Sequence, residues 1–158
     1  MITMQFVPSK FFVTSGHAVS PVSDLNAFDL ALIKAGVAEQ NLVAVSSVIP
    51  CGAVCVDKPE LPRGMVTFCV LSQCRGESGE IVSAGIAYAF RKDGQGGYVA
   101  EGHLHGGPEV LSRELAAKMK EMARIRGIEL DDVTIRVESV EVPEGQYGCA
   151  VSSLVFTE

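Results

Sequence analysis

Hydrophobic and polar positions along this chain follow two rhythms. Leu25, Phe28 and Leu32 recur at three- and four-residue steps, which predicts a helix capped by Ser23 or Asp24 and stopped by Gly36. A second stripe, Leu111, Leu115, Met119 and Met122, begins behind Pro108, a residue suited to a first helical turn, and runs to Gly127. Its polar positions, Arg113, Glu114, Lys118, Lys120 and Glu121, read as a solvated face. Elsewhere the step shortens to two, or apolar residues run together. Segments 11–14, 41–48, 65–71, 81–90, 98–100, 134–142 and 149–156 are rich in Val, Ile, Phe and Tyr and read as strands. Within 134–142, Ile135, Val137 and Val140 interleave with polar residues, with one slip. Pro50, Pro59 and Pro62 mark 50–64 as a loop. Helices set among runs of strands, without strict βαβ alternation, predict an α+β layered sandwich over a single domain, residues 1–158.

Composition narrows the class. A chain of 158 residues, 47% apolar and 20% charged, can bury one core and is not disordered. Its mean hydropathy of +0.28 is high for a small monomer and fits buried subunit contacts. Lys and Arg number 13 against 19 Asp and Glu, and the net charge of −6 argues against nucleic acid as a partner. Apolar stretches are broken within about ten residues, short of a membrane span. Residues 1–10 lack a basic start followed by an apolar run, so no signal peptide is expected. Five cysteines, an odd number, suit a reducing cytoplasm better than a disulfide framework.

Several sets of residues invite chemistry and fall short. Cys51-x3-Cys55 and Cys69-x4-Cys74 lack zinc-ribbon spacing, while Cys69 and Cys149 lie inside apolar strands as core residues. Glu101, His103 and His105 share one face if the strand continues, so a metal-dependent hydrolase stays open as an alternative. The Gly94-x-Gly96-Gly97 run precedes no helix and reads as a turn, not a phosphate cradle. Ser46-Ser47, between β-branched residues, reads equally as ordinary strand, and Ser152-Ser153 repeats the pair near the C-terminus.

The company of the first pair distinguishes it. Asn26-Ala-Phe-Asp29-Leu-Ala-Leu lies upstream, followed by Asn41-Leu-x-x-x-Ser46-Ser47-x-x-Pro50, then Glu101 and Tyr147-Gly-Cys-Ala150. This ordered set resembles the pyruvoyl-dependent arginine decarboxylases. The resemblance runs from Asn26 to the C-terminus, strongest in the first third and looser after Val66. Gly102-His103-Leu104-His105 and residues 51–58 depart from the family pattern.

The resemblance implies a sandwich of two antiparallel sheets flanked by helices and a chain that cleaves itself into 1–46 and 47–158. Ser47 Oγ would attack the Ser46 carbonyl, and Ser47 would end as a covalent pyruvoyl group, replacing pyridoxal phosphate and needing no metal. That carbonyl would form an imine with L-arginine, giving agmatine and CO2. Glu101 takes the role of proton donor, and Asn41, six residues before Ser47, that of support for self-processing. Asp29 matches the position that meets the guanidinium, with Leu25, Leu30 or Ile33 along the aliphatic part. Family members are trimers, some paired into hexamers, with the site between subunits. The alternatives are a pyruvoyl-dependent decarboxylase of another amino acid and a non-catalytic oligomeric binding protein.

Overall fold

The longest pairing in the molecule joins its two ends. The computed structural model describes residues 5–158, so the expectation for residues 1–10 falls in part, at 1–4, outside the described residues. Strand β1 (Lys10–Ser20) runs antiparallel to β9 (Tyr147–Thr157) without interruption from Lys10↔Thr157 to Ser20↔Tyr147. That unbroken partner carries β1 six residues beyond the predicted end at 14, through the polar Ser15 and His17. Between the ends lie α1 (Asp24–Ala35), β2 (Asn41–Ala44), β3 (Val48–Ile49), β4 (Val54–Cys55), β5 (Val66–Glu77) and β6 (Ile81–Phe90). β7 (Gly97–Leu104), α2 (Pro108–Arg126) and β8 (Thr134–Glu141) follow.

One sheet has the order β2-β5-β9-β1-β4 and the other β3-β7-β6-β8. They stack face to face, β5 and β9 against β6 and β7, with α1 outside the first and α2 outside the second. The α+β sandwich read from the sequence is therefore the fold. Pairing is antiparallel except at the rims of the first sheet, where β2 runs parallel to β5 and β4 parallel to β1. β4 falls inside the segment read as loop.

Alternation decides which layer each residue fills. Phe11, Val70, Ile86, Val99 and Leu154 meet between the sheets, whereas Tyr98, Ala100, Leu111, Leu115 and Met119 pack beneath α2. The slip in β8 is a change of face: Ile135 and Val137 lie under α2, and Val140 joins Val82 and Ala84 between the sheets. Burying Leu111, Leu115 or Met119 stabilises the α2 layer by about 2 kcal/mol each.

Helix α1 begins where expected, with Ser23 Oγ accepting from Asn26 N at 3.0 Å, and ends at Gly36 with φ 79°. Its buried face matches the expected one in part. Ala27, Ala31 and Ala35 lie against β1 and β9, Phe28 and Leu32 of the expected stripe pack half-buried against the same core, and Leu25 is 62% exposed. Small side chains let the helix axis approach the sheet, which leaves Leu25, Leu30 and Ile33 outside. The predicted strand 41–48 is also corrected. It breaks after Ala44, and its two ends join different sheets.

Candidate active site

That break places the Ser46–Ser47 peptide. β2 forms the rim of the first sheet beside β5, and β3 the rim of the second beside β7, so residues 45–47 cross from one sheet to the other. Backbone bonds hold both sides of the crossing. Val45 N donates to Cys69 O at 2.9 Å, and Val99 N donates to Ser47 O at 2.9 Å. Ser46 is exposed and Ser47 half-buried. Gly96 secures the far end: a Cβ there would lie 2.3 Å from Ile49 O, so only glycine lets the β6–β7 turn pass this closely behind β3.

The crossing borders a cleft of about 440 Å³ whose lining includes Ser46, Ser47, Glu101, Lys118 and Glu121, with Val70, Val99 and Met122 as apolar wall. Glu101 lies two residues beyond Val99 on β7 and so projects from the face turned toward the first sheet. On the other face of β5, burial pushes the Cys69 thiol up, a Ser153 hydrogen bond offsets part of this, and the Glu101 carboxylate adds a smaller rise. A serine pair and a carboxylate 54 positions apart in the chain thus share one partly apolar cleft.

The remaining expected site residues lie elsewhere. Asn41 does not share a strand face with Ser47, because the chain leaves β2 before Ser47; its Nδ2 donates to Gly64 O at 2.9 Å. Asp29, Leu25, Leu30 and Ile33 are all exposed on α1 and do not line the cleft within the chain. The Glu101–His103–His105 arrangement loses its third member, since His105 lies beyond β7 with Nδ1 2.6 Å from Glu80 Oε2. Among the described residues no three His, Cys, Asp or Glu side chains group closely enough to hold a metal ion. Cys69, Cys74 and Cys149 are buried, Cys51 and Cys55 exposed, and all five are free thiols. The glycine run at 94–97 forms the β6–β7 turn, with Gly94 and Gly96 at positive φ.

Two cleft residues were missed. Lys118 and Glu121, expected on the solvated face of α2, are exposed there, and both also border the cleft. Lys118 Nζ donates to Glu101 O at 2.8 Å. Arg124 grips Glu121 through two bonds of 2.6 and 2.7 Å, which holds that carboxyl below its usual range. For Lys118 a signal existed: it continues the stripe Leu111, Leu115, Met122 at helical spacing.

Residues 10–158 match the family model described as pyruvoyl-dependent arginine decarboxylase. The chain is 36% identical over 150 residues to the pyruvoyl-dependent arginine decarboxylase of Methanothermobacter thermautotrophicus, covering 94% of this chain and 97% of that one. It is 35% identical over 150 residues to the enzyme of the same description from Methanopyrus kandleri, covering 95% and 97%. Among solved structures, a pyruvoyl-dependent histidine decarboxylase superposes with a TM-score of 0.51 at 16% identity, covering 62% of this chain. The chain spans about half of that protein, at 53%, and the likeness concerns fold alone. No helix among the described residues is long and apolar enough to cross a membrane.

Proposed function

The chain belongs to the pyruvoyl-dependent arginine decarboxylases, and from that membership we propose that it cleaves itself between Ser46 and Ser47 and decarboxylates L-arginine to agmatine and CO2. The observation that carries this reading is the shared cleft of Ser46, Ser47 and Glu101 at the crossing between the two sheets.

Cleavage begins when Ser47 Oγ adds to the Ser46 carbonyl carbon and the Ser47 nitrogen leaves, so the amide becomes an ester. Loss of the Ser47 α-proton then breaks its Cβ–O bond and frees the Ser46 carboxylate with segment 1–46. The dehydroalanine left at position 47 takes up water and releases ammonia, which leaves a pyruvoyl carbonyl. No non-glycine residue among the described ones has positive φ, so alignment rather than backbone strain prepares the peptide. The clamps at Val45 N and Ser47 O supply that alignment. Asn41 supports processing at one remove, by tying the start of β2 to Gly64.

The residues present fit the group they generate. Its carbonyl supplies the electron sink that loss of CO2 from an α-amino acid requires, so the family's chemistry needs no pyridoxal phosphate. Glu101 delivers a proton to the substrate Cα once CO2 has left. Val70, Val99 and Met122 keep the leaving carboxylate in apolar surroundings, which favours its loss. Asp29 meets the guanidinium through paired hydrogen bonds, with Leu25, Leu30 or Ile33 against the substrate's methylenes. Because these four lie exposed on α1 and away from their own cleft, they serve the cleft of a neighbouring copy. A trimer, single or paired into a hexamer, satisfies both this geometry and the outward Leu25 and Ile33. Five cysteines, an odd number, support a reducing cytoplasm as its compartment.

Intact-mass spectrometry tests the reading directly. Two pieces of 46 and 112 residues are expected, roughly 5 and 12 kDa of the 16.7 kDa chain. The larger should have a blocked N-terminus that reacts with carbonyl reagents. A single species that resists processing refutes it.

A further inference from the structure

β3 ends its pairing with β7 at Val48↔Tyr98, so the β7 rim beyond Val99 has no strand partner where the chain reaches Glu101. The carbonyl of Glu101 finds its donor in Lys118 Nζ, which reaches from α2 at 2.8 Å. The next carbonyl, of Gly102, is held from the opposite layer by the hydroxyl of Ser72, which also accepts from Gly85 N at 3.3 Å. Two neighbouring peptide groups are therefore gripped from the helix layer and from the facing sheet, and the proton donor stands between the grips.

Gly102 lies directly under the first grip. A Cβ at this position would lie 3.0 Å from Leu111 Cδ1 and 3.3 Å from Lys118 Nζ, so the lysine passes close over bare backbone and a side chain here would displace both tips by a few tenths of an ångström. Lys118 is not diverted to an ion pair. No carboxylate lies within ion-pair distance among the described residues, and nearby Glu121 is occupied by Arg124. An ammonium is thus held on a main-chain carbonyl at the wall of the cleft that Ser46, Ser47 and Glu101 line.

Resting on Glu101 as the proton donor, we propose that Lys118 is a positioning residue, fixing the Glu101 backbone so that its carboxyl meets the substrate Cα. Small displacements of a reacting group are costly, so losing this tie lowers the proton-delivery step by about ten- to a hundredfold. The same ammonium keeps α2 and β7 in register beside Ser47.

Four variants of the full chain test this. Lys118→Met should still cleave into its two pieces, with kcat reduced at least about tenfold and KM within about twofold of the parent. Lys118→Arg, which keeps a donor on a similar stem, should recover most of the lost kcat. Gly102→Ala, whose Cβ meets Leu111 Cδ1 before it meets Lys118 Nζ, should lower kcat by less than K118M does and leave cleavage intact. Glu101→Gln serves as the reference. An inactive E101Q beside a fully active K118M overturns the positioning role alone, as does a K118M defect carried by KM. An E101Q with parental turnover removes the proton-donor reading on which the proposal stands. Should K118M not fold, Lys118→Gln, too short to reach the Glu101 carbonyl, takes its place with the same expected loss of kcat, and a K118Q with parental kcat overturns the role.

Discussion

Two Ser-Ser pairs occupy opposite environments in this molecule. Ser152 and Ser153 lie in the middle of β9, 0% and 2% exposed, opposite Ser15 and Thr14 of β1 on one side and Ser72 and Leu71 of β5 on the other. Their hydroxyls donate to Ala84 O and Val70 O, both at 2.9 Å. Ser46 and Ser47 lie between strands, at a crossing from sheet to sheet, and share a cleft with a carboxylate. Both pairs follow β-branched residues, so neighbours in the chain do not tell them apart and place in the fold does. In β9 each hydroxyl is committed and each peptide locked between two strands. At the crossing the backbone is fixed on either side of the pair, and the serines line a cleft together with Glu101.

The comparison breaks most sharply at the first hydroxyl. Ser47→Ala should leave the chain at 16.7 kDa by intact mass, with no carbonyl-reactive N-terminus and no turnover. Ser153→Ala should cleave as the parent does. A processed S47A, or an unprocessed but folded S153A, would reverse the assignment of the two sites.

A second difference is Glu101, for which the β9 pair has no counterpart. Glu101→Gln keeps the size and loses the proton. Cleavage should survive, while kcat falls by roughly 10²- to 10⁴-fold, the usual range for removing a positioned general acid. Steady-state turnover on the cleaved protein measures this, and a loss of cleavage instead would move Glu101 to the processing step.

Much of this contrast was invisible in the amino-acid pattern, for a physical reason. Periodicity reports which layer a residue faces, and it worked where one layer decided the matter. Leu111, Leu115 and Met119 marked the buried face of α2, and residues 81–90 coincide with β6. It was half right at α1, where Phe28 and Leu32 pack against the core but Ala27, Ala31 and Ala35 take the fully buried face because close approach outweighed side-chain size. It was silent at 41–49, since Leu42, Val43, Val45, Val48 and Ile49 read as one apolar run and only pairing with β5 and β7 divides it. Ser47 and Glu101 stood out through family resemblance. Their meeting in one cleft depends on the fold of residues far apart in the chain. Lys118 is exposed as its charge suggested, and only its place beside the buried stripe hinted that it reaches β7.

The third test addresses how the open pair acquires a substrate site. Asp29→Ala should raise KM for arginine about tenfold, the loss expected for one charge-assisted contact partly shielded from water, with cleavage intact. Since Asp29 stands outside its own cleft, co-assembling D29A with E101Q chains should restore a fraction of sites that contain both native residues. Absence of such complementation, with KM unmoved, would return Asp29 to the surface and leave the amino-acid substrate open.

The smallest effect belongs to the closed pair and shows what its serines do. Ser152→Ala removes a buried hydroxyl that links β9 to the facing sheet at Ala84 O. Losing this one neutral bond should cost about 1 kcal/mol, the net value of an internal hydrogen bond. Urea unfolding of S47A and of S47A/S152A compares the two without cleavage complicating the equilibrium. The midpoint should fall in the double variant with its slope unchanged. A drop well beyond that size would mean that the hydroxyl also sets the spacing between the sheets, and that the closed pair contributes to the cleft by holding β6 and β7 at their distance from β5.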